Sequence, residues 1–292
     1  MIAVKLMGGL GNQLFQYAAG KSLSLKHNTQ LYIDTSFLEA DPKNAYTKRL
    51  YELDYFAIEA KKFPKEMIKK IEFLQGNSIL NKIRKKTGIK SSITTYLEQG
   101  HQFNHQFNSL TDNTHLTGFW QSELYFKSIS DTIRKEITIK SEFINGIEPY
   151  LELLKNCTSV SLHVRRGDYV NLKLANEFHG ICSIDYYEKA LLMMNEKHEN
   201  LCVFVFSDDI KWCKENLQIP NKNKHYVLTD AALKDLYLMQ KCNHHIIANS
   251  SFSWWGAWLN ANTNKTVIAP SKWFNSNDIN TSDVIPDSWI KI

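Results

Sequence analysis

Residues 158–169 read TSVSLHVRRGDY. An apolar run, Thr158–Val164, ends abruptly in two arginines, a glycine and an aspartate. Short apolar runs bounded by turn residues mark buried strands. The same pattern recurs downstream. The spacing predicts helices over Ile184–Glu196, Ile210–Asn216, Ala231–Lys241 and Phe252–Leu259. It predicts strands over Leu201–Phe206, His225–Leu228, His245–Ala248 and Thr266–Ala269. Strands separated by helical patterns of about ten residues are βαβ units, and these require a parallel sheet.

Upstream, Ile2–Met7 reads as a strand, and Gly8, Gly9 and Gly11 as a tight turn. Asn12–Leu25 reads as a helix and Gln30–Asp34 as a second strand, which opens another α/β unit. Thr35 to Asn113 is less regular. His115–Phe119 is a predicted strand and Glu123–Glu136 a predicted helix. The polar segment Ser141–Glu148 is the expected boundary, giving domains at 1–148 and 149–292.

The 292 residues are 43% apolar, 22% charged and 12% aromatic. That balance describes a globular protein and excludes disordered, collagen-like and disulfide-miniprotein classes. Mean hydropathy is −0.36, and no apolar run reaches the roughly 18 residues of a membrane span. The first residues lack a basic segment, so no secretory signal is expected. The five cysteines are odd in number and form no C-x-x-C. They read as small core residues of an intracellular protein, not as disulfides or zinc ligands.

Net charge is +5, yet residues 61–90 alone carry ten Lys/Arg against Glu66 and Glu72. Phe63, Met67, Ile68, Ile71 and Leu74 fall there at helical spacing. A solvated helix face packed on the core is one reading, and peripheral contact with the inner face of a membrane is another. Nucleic-acid binding is not expected, because interleaved aromatics and known motifs are absent. The expected location is the cytoplasm.

In parallel sheets, ligands bind beyond the carboxyl ends of the strands, so four post-strand turns matter. The first is GGLGNQ, residues 8–13. Its glycines allow close approach to a ligand, or simply a tight connection. Asn12 and Gln13 offer amides to a sugar or phosphate. The second is HVRRGDY, residues 163–169. An arginine fork suits a diphosphate, although an Arg–Asp pair also stitches sheet edges. The third is FSDD, residues 206–209, where one aspartate caps the next helix or reads a guanine. The fourth is NSSFSWWGAWL, residues 249–259, whose serines cap a helix or leave its N–H groups for phosphate. Trp254, Trp255 and Trp258 read as core.

No D-x-D occurs, which argues against manganese-dependent sugar-nucleotide chemistry. His101 with His105, and His244 with His245, lack the further ligands of a metal site. No metal is expected.

Together, GGLGNQLFQYA, HVRRGDYV, FSDD, HHIIANSSFSWWGAWLN and VIAPSKWF resemble the α-1,2-fucosyltransferases of glycosyltransferase family 11. These pieces run from Met7 to Phe274. The resemblance implies a GT-B-like fold of two facing Rossmann-type domains, the first on the acceptor side and the second binding GDP-fucose. It implies transfer of L-fucose from GDP-β-L-fucose to the 2-hydroxyl of a terminal β-galactose, with inversion, no metal and no other cofactor. Arg165 would contact the β-phosphate and His163 would lie beside the nucleotide. Asp208 or Asp209 would read guanine, and Asn12 would reach the donor. Ser250, Ser251, Phe252 and Ser253 would cradle phosphate. Gly9, Gly11, Gln13, Arg166 and Asn249 complete the expected donor site. Asp168 is the candidate base, with Glu177 or His179 as alternates, and it is equally placed to orient an arginine.

Three rivals remain at this point. An NAD-type oxidoreductase would use the glycine turn with Asp34 as its ribose acid, although Leu14 replaces the third glycine. A non-catalytic glycan-binding protein and a transferase of another nucleotide sugar are the others.

Overall fold

The computed structural model describes residues 1–40, 47–76, 93–167, 180–220, 222–276 and 278–292. The chain divides into two compact units, Met1–Ile137 and Thr138–Ile292. The sequence reading placed the change at 148/149 instead. That position opens a helix, Glu148–Lys155, whose Leu154 belongs to the second unit's core.

In the first unit the strands are β1 (Ile2–Lys5), β2 (Leu31–Asp34), β3 (Lys61–Lys62), β4 (Thr94–Leu97) and β5 (Thr114–Thr117). They form one parallel sheet in the order β3-β2-β1-β5-β4. Its helices are α1 (Leu10–Lys26), α2 (Ser36–Glu39), α3 (Lys65–Gly76) and α4 (Ser130–Glu136). Helix α1 buries residues on nearly every side, including Leu14, Phe15, Tyr17 and Ala18. It approaches the sheet closely at Gly20, where a Cβ would come within 2.9 Å of Leu31 and 3.1 Å of Val4.

The basic helix expected in the middle region is α3. Ile71 is buried, and Met67 and Ile68 pack on Ala3, Phe63 and Ile93. Lys65, Lys69 and Lys70 lie exposed. The apolar stripe therefore serves the core. The rest of the basic stretch, from 77 to 90, lies outside the described residues. No helix among the described residues is long and apolar enough to cross a membrane.

The predicted helix over Glu123–Glu136 is instead two 3-10 turns, Glu123–Tyr125 and Lys127–Ile129, leading into α4. Phe126, at φ −140° and ψ 11°, breaks the helical path. It is fully buried, and its ring lies 6.2 Å from Phe15. Packing decides the backbone here over helical propensity.

In the second unit the strands are β6 (Thr158–Val164), β7 (Leu201–Ser207), β8 (Lys224–Tyr226), β9 (His244–Ile246), β10 (Val267–Ala269) and β11 (Ile290–Lys291). The helices are α5 (Glu148–Lys155), α6 (Ile184–Lys197), α7 (Ile210–Asn216), α8 (Ala232–Lys241) and α9 (Ser251–Leu259). All strands are parallel, in the order β11-β10-β9-β6-β7-β8. Alternate residues of β7 serve opposite faces, as strand geometry requires. Val203 and Val205 join Val160, Leu162, Tyr187 and Leu191 on one side. Cys202, Phe204 and Phe206 join Leu154, Leu238 and Met239 on the other. Each face is thus a core, which explains the nearly continuous apolar strands. Trp254, Trp255 and Trp258 are buried core residues, as expected. Cys202, Cys213 and Cys242 are buried, Cys157 and Cys182 are half-buried, and all five are free thiols.

One buried device makes stability depend on pH. The rings of His198 and His244 stack at 3.7 Å and 21°. The Thr266 N–H donates to Nδ1 of His244 at 3.0 Å, which requires that nitrogen unprotonated. Burial, then the neighbouring His198, pushes His244 down to about 4. Burial likewise lowers His245 and His163. A histidine is ordinarily half-protonated near 6.5. Between about pH 6.5 and 4 the unfolded chain therefore binds more protons than the folded one, and stability falls as pH drops. The urea midpoint is expected to decline from pH 7 to pH 4.5, with a shallower decline in His244→Gln.

Candidate active site

Strand order brings three of the predicted turns together, because β9, β6 and β7 are neighbours. Their register does the rest. Val164 sits opposite Ser207, so the residues that follow, Arg165 and Asp208, emerge side by side. Arg165 Nη1 lies 2.7 Å from Asp208 Oδ2, with both side chains about a quarter exposed. The other carboxylate oxygen accepts the Arg166 N–H at 2.9 Å. Gly167 is required by this arrangement. A Cβ there would lie 2.5 Å from Asp208 Oδ2 and 3.0 Å from Cγ.

The two arginines do different work. Arg166 stacks 3.8 Å above the Trp212 ring, and its Nε lies 3.5 Å from Asp209 Oδ2. Asp209 in turn caps α7, accepting the Trp212 N–H at 3.0 Å. Arg166, Trp212 and Asp209 thus form a brace beneath the turn. Arg165 stands on that brace, oriented by Asp208. The sequence left an aspartate here either to cap the next helix or to read a guanine; Asp209 makes that cap, and Asp208 holds Arg165. Trp212 gave no signal in the sequence beyond an aromatic on a helix.

His163, the penultimate residue of β6, is only 5% exposed. Its ring lies 5.8 Å from Phe252. Burial, against the pull of Asp208 and reinforced by Arg165, lowers it to about 3. It is therefore neutral at physiological pH. Its Nδ1 is buried without a hydrogen-bond partner among the described residues.

After β9, Ser250 precedes α9 in extended conformation, and its hydroxyl makes no capping bond. The capping reading of these serines therefore does not apply to Ser250. Ser253 Oγ turns back to the Ser250 carbonyl at 3.3 Å, and the Trp254 N–H takes the same carbonyl at 3.0 Å. The N–H groups of Ser251, Phe252 and Ser253 find no acceptor among the described residues. An uncapped first turn of this kind presents donors to an anion. Asn249 is buried behind it. Its Nδ2 donates to the carbonyls of Gly180 and Trp273, each at 3.3 Å, and its Oδ1 accepts from Cys182 Sγ. It ties loops together beneath the helix start.

Asp168, Glu177 and His179 lie outside the described residues.

In the first unit the glycine turn also sits at a carboxyl strand end. Gly8 has φ +76°, and a Cβ there would meet Asn12 Nδ2 at 2.5 Å. The Gly9 carbonyl accepts the N–H groups of Asn12 and Gln13. Gly11 is buried as α1 begins. Gln13 is fully buried. Its Nε2 donates to the Gly8 and Leu50 carbonyls at 3.1 and 2.7 Å, and its Oε1 accepts the Glu52 N–H at 3.0 Å. It clamps a second segment onto the turn, a role its position in the sequence does not show. Asn12 is half-buried and accepts from Gln121 Nε2 at 2.8 Å. Gln16, unnoticed in the sequence, bonds the Met7 N–H and the Gly118 carbonyl.

The dinucleotide alternative meets a direct obstacle here. Asp34 is 2% exposed and accepts from His115 Nε2 and the Ser36 N–H, each at 2.9 Å. A ribose hydroxyl has no access to it. Elsewhere, His245 bonds Ser161 and Asn260 within the core. Among the described residues no group of three or more His, Cys, Asp or Glu side chains is placed to hold a metal ion.

Comparison with known proteins agrees with this geometry. The Escherichia coli alpha-1,2-colitosyltransferase is 34% identical over 296 residues, covering 100% of this chain and 99% of that one. The O-antigen biosynthesis glycosyltransferase WbnK of Escherichia coli is 34% identical over 307 residues, covering 98% and 99%. Rat galactoside alpha-(1,2)-fucosyltransferase 2 is 29% identical over 152 residues, 49% of this chain and 43% of that protein. In fold, an Arabidopsis thaliana FUT1 mutant in complex with GDP aligns with a TM-score of 0.55 at 13% identity, covering 91% of this chain and 69% of that one. The α/β, GT-B-like class of two parallel-sheet units expected from the sequence is the class observed. The family model for glycosyl transferase family 11 matches residues 1–292. With that match across both sheets and every turn described above, this chain is a glycosyltransferase belonging to glycosyl transferase family 11.

Proposed function

We propose that the chain moves L-fucose from GDP-β-L-fucose to the 2-hydroxyl of a terminal β-galactose, inverting the anomeric carbon without a metal ion. The observation that carries this reading is the Arg165 turn. An arginine held by Asp208 stands beside a neutral, buried His163 and the uncapped start of α9. Such a cationic, donor-lined turn suits a diphosphate. Departure of GDP breaks the bond from C1 to the phosphate oxygen through an oxocarbenium-like transition state. Arg165 and the N–H groups of Ser251, Phe252 and Ser253 take the growing phosphate charge. The galactose O2 forms the new bond to C1, and its proton passes to a base. Asp168 is the proposed base, with Glu177 and His179 as alternates.

A second donor is favoured by one observation, the full-length similarity to a protein named for colitosyl transfer. Colitose is fucose without its 3-hydroxyl. The purified chain, in EDTA, is to be given GDP-fucose or GDP-colitose with lactose or N-acetyllactosamine. Fucose on galactose O2 is the expected product. Transfer confined to GDP-colitose would replace the donor, and GDP release without transfer would replace the acceptor. No turnover of either donor would overturn the reading.

A further inference from the structure

The first unit repeats the second unit's construction at a place no sequence motif marked. Strands β4 and β5 pair with Leu97 opposite Thr117, so Glu98 and Gly118 emerge side by side, as Arg165 and Asp208 do. A Cβ on Gly118 would lie 2.4 Å from Glu98 Cβ and 2.6 Å from its Oε2. The bare glycine lets the Glu98 carboxylate fold over the turn. There it accepts the N–H groups of Phe119, at 2.6 Å, and Trp120, at 3.0 and 3.1 Å.

That bracket holds an unusual backbone. Trp120 has φ +56°, a region bulky residues rarely occupy and one that concentrates at ligand sites. The turn sends two successive aromatic rings opposite ways. Trp120 is fully buried, stacked with Tyr96 and edge-on to Tyr125. Phe119 points out and is 37% exposed. The exposed large apolar side chains among the described residues are Phe119 and seven leucines. Among the described residues, the aromatic most open to solvent thus stands on a turn pinned by a carboxylate.

The surroundings are polar and pinned. Gln16 bonds the Gly118 carbonyl, and Gln121, two residues beyond Phe119, holds Asn12. Strand order makes these contacts possible, since β1 and β5 are neighbours. Gln16 is fully buried and only pins the turn, whereas Asn12 and Gln121 are half-buried at the surface. An exposed ring beside half-buried amides at a carboxyl strand end suits a pyranose. The ring takes the apolar face of the sugar, and amides take its hydroxyls. In β-galactose the axial 4-hydroxyl leaves H3, H4 and H5 together on one face, a surface that stacks on an aromatic.

We propose that Phe119 is a stacking platform for the galactosyl ring of the acceptor, presented by a turn that Glu98 braces. This rests on the galactoside acceptor proposed above. Glu98 is a positioning residue and touches no substrate.

The test is acceptor kinetics with lactose at saturating GDP-fucose, paired with saturation-transfer NMR of methyl β-galactoside. Phe119→Ala is expected to raise the acceptor KM about tenfold, with kcat changing less, which corresponds to one lost aromatic contact. Phe119→Tyr is expected to restore KM to within about threefold. Glu98→Gln is expected to raise the same KM, and the nearby exposed control Leu97→Ala to leave it unchanged. In NMR, saturation is expected to fall mainly on H3, H4 and H5 and to vanish in Phe119→Ala. GDP affinity reports that each variant is folded. An acceptor KM unmoved by Phe119→Ala, with fucose still transferred to lactose, would overturn the platform alone. A Phe119-dependent NMR signal from a different sugar, with none from the galactoside, would overturn the galactoside acceptor instead.

Discussion

Arg165→Ala is expected to lower turnover of the GDP-linked donor by about 10²–10³-fold, the usual loss when one preorganised donor to a developing oxyanion is removed. The geometry explains why the effect should be large and catalytic. Asp208 holds the guanidinium from one side at 2.7 Å, so the group is aimed before substrate arrives. Its neighbour cannot substitute, because Arg166 is stacked on Trp212 and faces Asp209. Arg165→Lys keeps the charge but loses the planar fork, and is expected to recover only part of the rate. Folding should barely change. Both partners of the pair are about a quarter exposed, and such solvent-screened pairs contribute at most about 1 kcal/mol. Turnover and urea midpoint, measured on the same preparations, separate the two effects. A variant that loses stability in proportion to activity would remove Arg165 from the chemistry.

Trp254→Ala is expected to have the largest effect on stability. The side chain is fully buried. It stacks parallel to Trp258, meets Trp255 edge-on and packs against Trp289. Its Nε1 donates to the Val284 carbonyl at 2.7 Å, tying α9 to the closing segment of the chain. Emptying such a site typically costs about 3–5 kcal/mol, a large part of the 5–15 kcal/mol that holds a domain folded. Trp254→Phe keeps a stacked ring and loses the hydrogen bond, so an intermediate cost of about 1–3 kcal/mol is expected for the unpaired carbonyl and the smaller ring. Urea unfolding checks both. Because α9 also presents the uncapped N–H groups, Trp254→Phe should weaken GDP binding more than a change at an exposed lysine of α3, such as Lys69→Ala.

Some of the site was readable because it is local. The arginine turn, the FSDD turn and the serine-opened helix each sit within a few residues of an apolar strand. A strand followed by polar residues and glycine looks the same in sequence and in space. Which side chain in a turn meets a ligand was not readable. Gln13, Asn249, Arg166 and Asp209 all carry suitable groups, and all are engaged within the protein by partners 20 or more residues away or on the next helix. The turn at 118–121 went unnoticed because its meaning depends on Glu98, which follows the adjacent strand β4. That strand was itself missed, being two half-buried residues between two exposed ones, without clear alternation.

Sequence alone established that strands and helices alternate, that the strands are parallel and buried on both faces, and where arginines, serines and glycines follow a strand. Those properties are written in apolar periodicity and in residues next to one another. The tertiary structure alone decided the strand orders, and with them that Arg165 meets Asp208 and that Glu98 meets Gly118. Pairing between strands is non-local. One strand's pattern says which face is buried, while its neighbour and register follow from packing over the whole sheet.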